Sequence, residues 1–166
     1  MEEFDVDAVQ QMNNRYICRG KRKDNGEWVE GYLIQENKTY IAAAEAINYM
    51  VVSTFCKASI ELVEVIPETV GQCSGVPDKN GTLMYEGDIV KGLFNFGLEI
   101  MSVCTFKDGA FGLTAKQCGA YHFSAFTSIC NVKYEVIGNI HDNPNLLKIE
   151  HDSLCETETY KAGDEE

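Results

Sequence analysis

The sequence is poor in positive charge, in proline and in long apolar runs, and each shortage excludes a class of protein. Its 166 residues include 14 lysines and arginines against 26 acidic residues, which gives a net charge of −12. An acidic surface repels phosphate backbones, so this charge disfavours non-specific binding to nucleic acid. No apolar run approaches the length of a membrane-spanning helix. The three prolines lie outside the interiors of the strand-like segments, as a β-sheet requires.

Motifs for metal binding, redox chemistry and phosphate binding are also missing. None of the seven cysteines forms a C-x-x-C pair, which excludes a zinc ribbon or a thioredoxin-type motif. No two of His122, His141 and His151 are three or four residues apart, so the sequence contains no helical metal-binding pair. No Gly-Lys-Ser/Thr loop supports nucleotide hydrolysis. The sequence therefore predicts no metal and no cofactor.

The first residues and the cysteines both bear on the cellular location. The N-terminal MEEFDVD is acidic, whereas a signal peptide begins with a basic region. Several cysteines lie in apolar runs, where a free thiol behaves as a small apolar group, and this usage indicates a reducing compartment. The expected location is the cytoplasm.

Short apolar segments separated by glycine and asparagine predict a mainly β chain, of the kind that forms a small, sharply bent barrel. The pairs Asn25-Gly26, Asn80-Gly81 and Asp108-Gly109 predict hairpin turns, and a type I′ turn at Asn80-Gly81 requires positive φ at both residues. Strands are predicted over residues 16–21, 28–35, 39–44, 60–66, 82–85, 88–94, 98–107, 110–114, 120–124 and 133–140. Residues 5–14 have helical spacing, and residues 42–59 form an irregular region in which a strand leads into a loop.

Changes in composition divide the chain into four segments. Residues 69–76 are rich in turn-forming residues and are predicted to be a linker. Residues 150–166 contain seven acidic residues against one lysine, which is typical of a solvated extension. The predicted segments are an N-terminal extension with a helical pattern (1–15), an N-terminal β region (16–70), a β-barrel (71–147) and an acidic tail (148–166).

Three groups of residues have the chemistry of a catalytic or metal site, and in each a structural role explains the pattern better. Glu86 and Asp88 share one side of a strand, but an aspartate before a strand commonly caps a turn by accepting backbone N–H groups. Residues 71–75, GQCSG, do not match the G-x-S-x-G nucleophile motif. His122 and His141 have no ligand partner at a metal-binding spacing. No catalytic, cofactor-binding or metal-binding residue is therefore assigned.

Residues 19–23, RGKRK, form the one concentrated basic run, and Trp28 and Tyr32 follow it closely. Basic and aromatic side chains together bind single-stranded nucleic acid by charge and stacking. A charged hairpin tip is also commonly solvated, or it protects an edge strand from pairing. Nucleic-acid binding through residues 19–23 is therefore an alternative function for this chain.

Four blocks of this sequence resemble the YopX family of small phage and prophage proteins. They are NGEWVEGYLI at 25–34, IPETVGQCSGVPDKNGTLMYEGDIV at 66–90, FKDGAFGL at 106–113 and YEVIGNIHDNPNLL at 134–147. The resemblance implies a mainly β protein with an SH3-like barrel in its C-terminal half, a phage or prophage gene and a bacterial cytoplasm. It implies no established activity and no catalytic residues.

The leading functional hypothesis is a non-enzymatic binding or adaptor module for a host or phage protein. Barrel loops, a sheet edge and an acidic surface supply such a binding surface without a catalytic group. Open sheet edges also pair readily, so self-association into a homo-oligomer is expected. Nucleic-acid binding through residues 19–23 is the second hypothesis, and an enzyme of unrecognised type is the third.

Overall fold

A computed structural model describes residues 16–43, 61–94, 98–117, 119–126 and 134–148, and these residues form a mainly β structure. Its strands are β1 (Cys18–Lys21), β2 (Trp28–Gln35), β3 (Thr39–Ala43), β4 (Leu62–Glu64), β5 (Gly71–Pro77), β6 (Leu83–Tyr85), β7 (Asp88–Phe94), β8 (Leu98–Lys107), β9 (Ala110–Gln117), β10 (Ala120–Ala125) and β11 (Tyr134–Asn139). Short 3₁₀ helices cover Pro67–Thr69 and Pro144–Lys148. The predicted helix at 5–14, residues 44–59 of the irregular region and residues 149–166 of the acidic tail lie outside the described residues.

The strands form two antiparallel sheets. The six-stranded sheet has the order β4-β3-β2-β1-β5-β6, and the five-stranded sheet has the order β10-β9-β8-β7-β11. The predicted mainly β class is therefore confirmed. Within the described parts of the chain no pairing joins β10 to β11, so hydrogen bonds do not close the five-stranded sheet into a barrel.

A hydrophobic core joins the two sheets. Met84 on β6 belongs to the six-stranded sheet, yet it packs against Val90, Cys104, Leu113 and Tyr134 of the five-stranded sheet. All five side chains are at most 6% exposed. The β5–β6 hairpin is thus hydrogen-bonded to one sheet and buried against the other.

A second, smaller core lies on the six-stranded sheet. It contains Ile41 of β3, Val63 of β4 and Val65, and Val29 and Val70 pack against it. Leu33 is paired with Ile41 in register, yet it is 40% exposed. At the end of the hairpin Gln35 of β2 is exposed, whereas its partner Thr39 of β3 is buried.

The prediction that residues 69–76 form a linker was wrong, because most of this segment is strand β5. β5 pairs with β1 through Arg19↔Gly71 and with β6 through Cys73↔Tyr85. Its residues have low intrinsic strand preference, and partners distant in the sequence supply the hydrogen bonds that the local sequence does not predict. The predicted domain limit at residue 71 coincides with the start of this shared strand, and the four-segment division stays a prediction.

The structure confirms one predicted hairpin turn and corrects another. Asp108 and Gly109 have φ of 52° and 82° between β8 and β9, as a type I′ turn requires. At Asn80-Gly81 only Gly81 has positive φ, at 85°, so the expected type I′ turn is wrong. The turn instead begins at Asp78, whose C=O accepts a hydrogen bond from Gly81 N–H at 3.0 Å.

Asp78 explains this change of turn type, because its buried carboxylate organises the backbone around it. It accepts hydrogen bonds from the N–H groups of Asn80 at 2.7 Å, Thr82 at 2.9 Å and Val136 at 3.1 Å. Burial alone would raise the pKa of Asp78, but these donors outweigh burial and the net pKa is lowered. One carboxylate thus fixes the β5–β6 turn and attaches it to β11.

We predict that Asp78→Ala destabilises the fold by about 3 kcal/mol or more, since it leaves three donors without their acceptor and each buried donor so left costs about 1–3 kcal/mol. Asp78→Asn keeps one acceptor oxygen and should lose less. Urea unfolding of both variants measures the difference. Equal stability of Asp78→Ala and the wild type would show that the three hydrogen bonds do not hold this turn.

Candidate functional site

The candidate functional site lies where the two sheets meet, and it unites features that are far apart in the sequence. β1 contributes part of the basic run, β7 begins with Asp88, and the turn after β11 contains His141. We call this site the junction cluster, and it consists of Arg19, Lys21, Trp28, Tyr85, Asp88, His141 and Asp142.

The alternation of β1 and β2 places the polar side chains of the junction cluster together. Arg19 and Lys21 are two residues apart on β1, so both point to the same face. In the antiparallel register Lys21 pairs with Trp28, and Arg19 pairs with Glu30. Two cations and an aromatic ring therefore share one side of the six-stranded sheet.

Arg19 is the central residue of the junction cluster. Its guanidinium forms an ion pair with Asp88, which is 69 residues away in the sequence. The guanidinium carbon also lies 4.8 Å from the ring centroids of both Trp28 and Tyr85. The Arg19 side chain is 15% exposed and that of Asp88 only 1%, so the ion pair is largely removed from water. It connects the first strand of one sheet to the first strand of the other.

Asp88 uses both carboxylate oxygens in structural contacts. One oxygen binds Arg19, and the other accepts a hydrogen bond from Tyr85 N–H at 2.8 Å. The latter bond is the turn cap that the sequence predicted. Burial raises the pKa of Asp88, while Arg19 and the Tyr85 N–H group oppose that shift. The contacts of Asp88 are those of a structural anchor.

Asp142 attaches the turn after β11 to strands β1 and β2. Its carboxylate binds Lys21 and accepts hydrogen bonds from Trp28 Nε1 at 2.8 Å and Asn139 Nδ2 at 2.9 Å. The bond to Lys21, followed by those from Asn139 and Trp28, holds the pKa of Asp142 well below its usual range. The His141 ring lies 6.0 Å from the Trp28 ring, at a tilt of 52°.

The remaining cations of the basic run are also paired. Arg22 binds Asp24 through two nitrogens at 3.0 and 2.9 Å, and Lys23 Nζ lies 2.6 Å from Glu64. Each of the four cations at 19–23 thus has a carboxylate partner. Nucleic-acid binding through this run stays a prediction, but phosphates would have to compete with these carboxylates for every charge.

The other residues weighed from the sequence do not join the junction cluster as reactive groups. Cys18, Cys73 and Cys104 are buried free thiols, and burial raises the pKa of each, that of Cys104 to about 12. A protonated buried thiol is a poor nucleophile. His122 is exposed on β10, and His151 lies outside the described residues. In the described ranges no group of three or more His, Cys, Asp or Glu could hold a metal ion.

Sequence reasoning identified several members of the junction cluster and missed others. Arg19, Lys21 and Trp28 belong to one hypothesis, the basic run beside aromatic residues, whereas Asp88 and His141 enter two separate arguments. Asp142 and Tyr85 were not considered as members of a site. The N–H groups of His141 and Asp142 both donate to Asn139 Oδ1, at 3.0 and 2.9 Å, and such an Asn-centred turn is the one local signal in this region.

A family model described as YopX protein matches residues 18–148, a span that contains the whole junction cluster. Among curated proteins, no relative matches the chain. The described residues contain no helix long and apolar enough to cross a membrane.

We predict that Asp88→Ala destabilises the fold by about 3–5 kcal/mol, because it leaves Arg19 buried without a counter-ion. Arg19→Met with Asp88→Ala in one chain should cost less than the sum of the two single substitutions. The fluorescence of Trp28, the sole tryptophan, reports urea unfolding at this site. Additive costs would show that the two side chains are not energetically coupled.

We also predict that Asp142 contributes stability that is lost in acid. An acid whose pKa is lowered by folding stabilises the fold above its ordinary pKa of about 3.9, and this contribution disappears as the pH falls toward the folded value. The stability difference between the wild type and Asp142→Asn should therefore narrow below about pH 4.

Urea midpoints measured at a series of pH values test this pH dependence. Lys21→Gln, which removes the main partner of Asp142, should also lose stability at neutral pH and approach the wild type in acid. A difference between the wild type and Asp142→Asn that does not change with pH would contradict the assignment.

Proposed function

Since the chain belongs to the YopX family, we propose that it is a non-enzymatic binding module for a protein partner, encoded by a phage or prophage and acting in the bacterial cytoplasm. The phage origin and the location rest on the family resemblance. The binding role rests on an exposed apolar surface of the six-stranded sheet. The junction cluster contributes by holding the sheet that carries this surface.

The surface that supports the proposal is an apolar patch across three strands. Tyr32 and Ile34 lie on β2, Tyr40 on β3 and Leu62 on β4. The register aligns Tyr32 with Ala42 and Ala42 with Leu62, and it aligns Ile34 with Tyr40, so these side chains share one face. We call these four residues the β2–β4 patch.

The exposure of the β2–β4 patch is the observation that carries the proposal. Tyr32 is 41%, Ile34 37% and Leu62 49% exposed. A single exposed apolar side chain is ordinary, whereas several on one face of neighbouring strands are typical of an interaction surface. Aromatic and branched side chains at the centre of such a surface supply most of the binding free energy.

The border of the β2–β4 patch indicates the charge of the partner. Glu30, Glu36 and Glu61 are exposed around it, while Lys23 and Lys38 both bind Glu64. A protein with an apolar anchor and a basic border complements this arrangement. Charges at the border of an interface mainly raise the association rate, and salt screens them. We therefore expect the affinity for this partner to fall as the salt concentration rises.

The chemistry of the described residues favours binding over catalysis. The buried thiols have raised pKa values, and Asp88 is occupied by Arg19 and the Tyr85 N–H group. Catalytic nucleophiles and bases need a pKa matched to their task and access to a substrate. Binding requires only the exposed surface.

Affinity capture from bacterial lysate, with nuclease present, tests the proposal by comparing two double variants. Tyr32→Ala with Leu62→Ser should lose a stoichiometric protein that the wild type captures. Tyr121→Ala with Phe106→Ser changes exposed apolar residues of the other sheet and should retain it. Capture of the same protein by both variants would contradict binding at the β2–β4 patch.

A further inference from the structure

The chain contains the reactive pair Asn-Gly twice, at Asn25-Gly26 and at Asn80-Gly81. Asparagine loses its side-chain amide most readily before glycine, because glycine has no side chain to hinder attack of its backbone nitrogen on the asparagine Cγ. Both pairs are exposed, and both glycines have positive φ, at 75° and 85°. Sequence and exposure therefore do not distinguish the two sites, whereas the hydrogen bonds around each asparagine do.

Asn25 lies at the tip of the β1–β2 hairpin, and its side-chain carbonyl folds back on the backbone. Asn25 Oδ1 accepts a hydrogen bond from Glu27 N–H at 3.0 Å, and Asn25 Nδ2 donates to Glu27 Oε2 at 2.8 Å. An asparagine side chain that accepts from the N–H group two residues later forms an Asx turn. This turn holds Cγ of Asn25 beside the nitrogen of Gly26.

The same hydrogen bond stabilises the charge that develops during attack on Asn25. Addition to Cγ turns Oδ1 into an oxyanion, and Glu27 N–H already donates to that oxygen. A backbone N–H group aimed at a developing negative charge lowers the barrier, as in an oxyanion hole. Gly26 N–H donates to Arg22 C=O at 3.0 Å, so the attack must first break this bond.

Asn80 is held differently, by the carboxylate of Asp78. Asn80 N–H donates to Asp78 Oδ1 at 2.7 Å. Thr82 N–H, which corresponds in position to Glu27 N–H, donates to the same Asp78 oxygen at 2.9 Å. The Asn80 side-chain amide donates to the carboxylates of Asp78 and Glu135. The donor that would stabilise an oxyanion at Asn80 is thus used by Asp78.

The two turns also differ in the cost of opening. Asn25 and Glu27 are exposed, so water replaces their mutual hydrogen bonds at little cost. Gly81 N–H donates to Asp78 C=O at 3.0 Å, so the loss of one glycine N–H bond is common to both sites. The Asp78 carboxylate, however, belongs to a residue only 8% exposed, and separating one donor from a buried acceptor disfavours opening by about 5- to 150-fold.

We propose that Asn25 is a site of spontaneous deamidation and that the fold protects Asn80 from the same reaction. The Gly26 nitrogen loses its proton to hydroxide and bonds to Cγ of Asn25. The Cγ–Nδ2 bond breaks, and the nitrogen takes up a proton from water and leaves as ammonia. A water molecule then opens the succinimide ring at either carbonyl and leaves aspartate or isoaspartate. Water is the co-reactant, and the site is independent of the β2–β4 patch.

Deamidation changes the charge at the end of the basic run. The hairpin tip has two cations, Arg22 and Lys23, and two acids, Asp24 and Glu27. The product adds a third acid at residue 25. Its carboxylate replaces the amide that donates to Glu27, so two like charges then face each other. Isoaspartate also lengthens the backbone of the tip, because the chain then runs through the former side chain.

Peptide mapping by mass spectrometry during incubation at neutral pH tests the proposal. Isoaspartate at residue 25 is the readout, because the succinimide route produces it and direct hydrolysis of the amide does not. In the native protein Asn25 should react about 5- to 150-fold faster than Asn80, since reaction at Asn80 must first break a hydrogen bond to a buried acid. In urea neither turn persists, and the two rates should become similar.

Two variants locate the cause of the difference. Asp78→Asn weakens the anchor of the second turn, so it should raise the rate at Asn80 and leave the rate at Asn25 unchanged. Asn25→Gln should stop the reaction at residue 25, because glutamine forms the corresponding larger ring far more slowly, and it should not alter Asn80. Thermal unfolding confirms that each variant is folded.

Any of four results would overturn the proposal. The first is an intact Asn25 in the native protein over a period in which the urea-unfolded chain reacts. The second is equal rates at Asn25 and Asn80 in the native protein. The third is a ratio of the two rates that is the same in the native protein and in urea. The fourth is aspartate at residue 25 without isoaspartate, which would indicate direct hydrolysis.

Discussion

The structure depends on one buried ion pair, between Arg19 and Asp88. Arg19 lies on β1 of the six-stranded sheet, and Asp88 begins β7 of the five-stranded sheet. The Arg19 guanidinium that connects them lies between the rings of Trp28 and Tyr85. Burying a charge is costly unless it is paired and hydrogen-bonded, so this arrangement strongly favours one relative position of the two sheets. Asp142 adds a second connection by joining Lys21 and Trp28 to the turn after β11.

The structural role of Arg19 and Lys21 changes the interpretation of the basic run at residues 19–23. Basic residues beside an aromatic residue form a pattern typical of nucleic-acid binding. Here Arg19 and Lys21 pack against aromatic rings and pair with carboxylates, while the more exposed Arg22 and Lys23 pair with Asp24 and Glu64. Exposed apolar groups lie elsewhere, on the β2–β4 patch. This patch lies on the same face of the six-stranded sheet as the junction cluster, farther along β2, and it stays exposed.

The sequence predicted local structure well and long-range structure poorly. The limits of β2, β7 and β8 agree with the prediction, because each strand is bounded by turn residues and has a clear apolar pattern. β5 was missed because its hydrogen-bond partners, β1 and β6, are not encoded in its own composition. Likewise the cap at Asp88 was predictable from the adjacent turn, whereas its partner Arg19 lies 69 residues away and no local pattern connects them.

The central claim is that the Arg19–Asp88 ion pair and the shared core make the two sheets one cooperative unit. Native-state hydrogen exchange of the wild type tests this claim most directly, because it gives an opening free energy for each amide. We predict that amides of β2 in one sheet and β8 in the other open together, with free energies that agree within about 1 kcal/mol. Exchange of one sheet through a separate opening of much lower free energy would contradict the account.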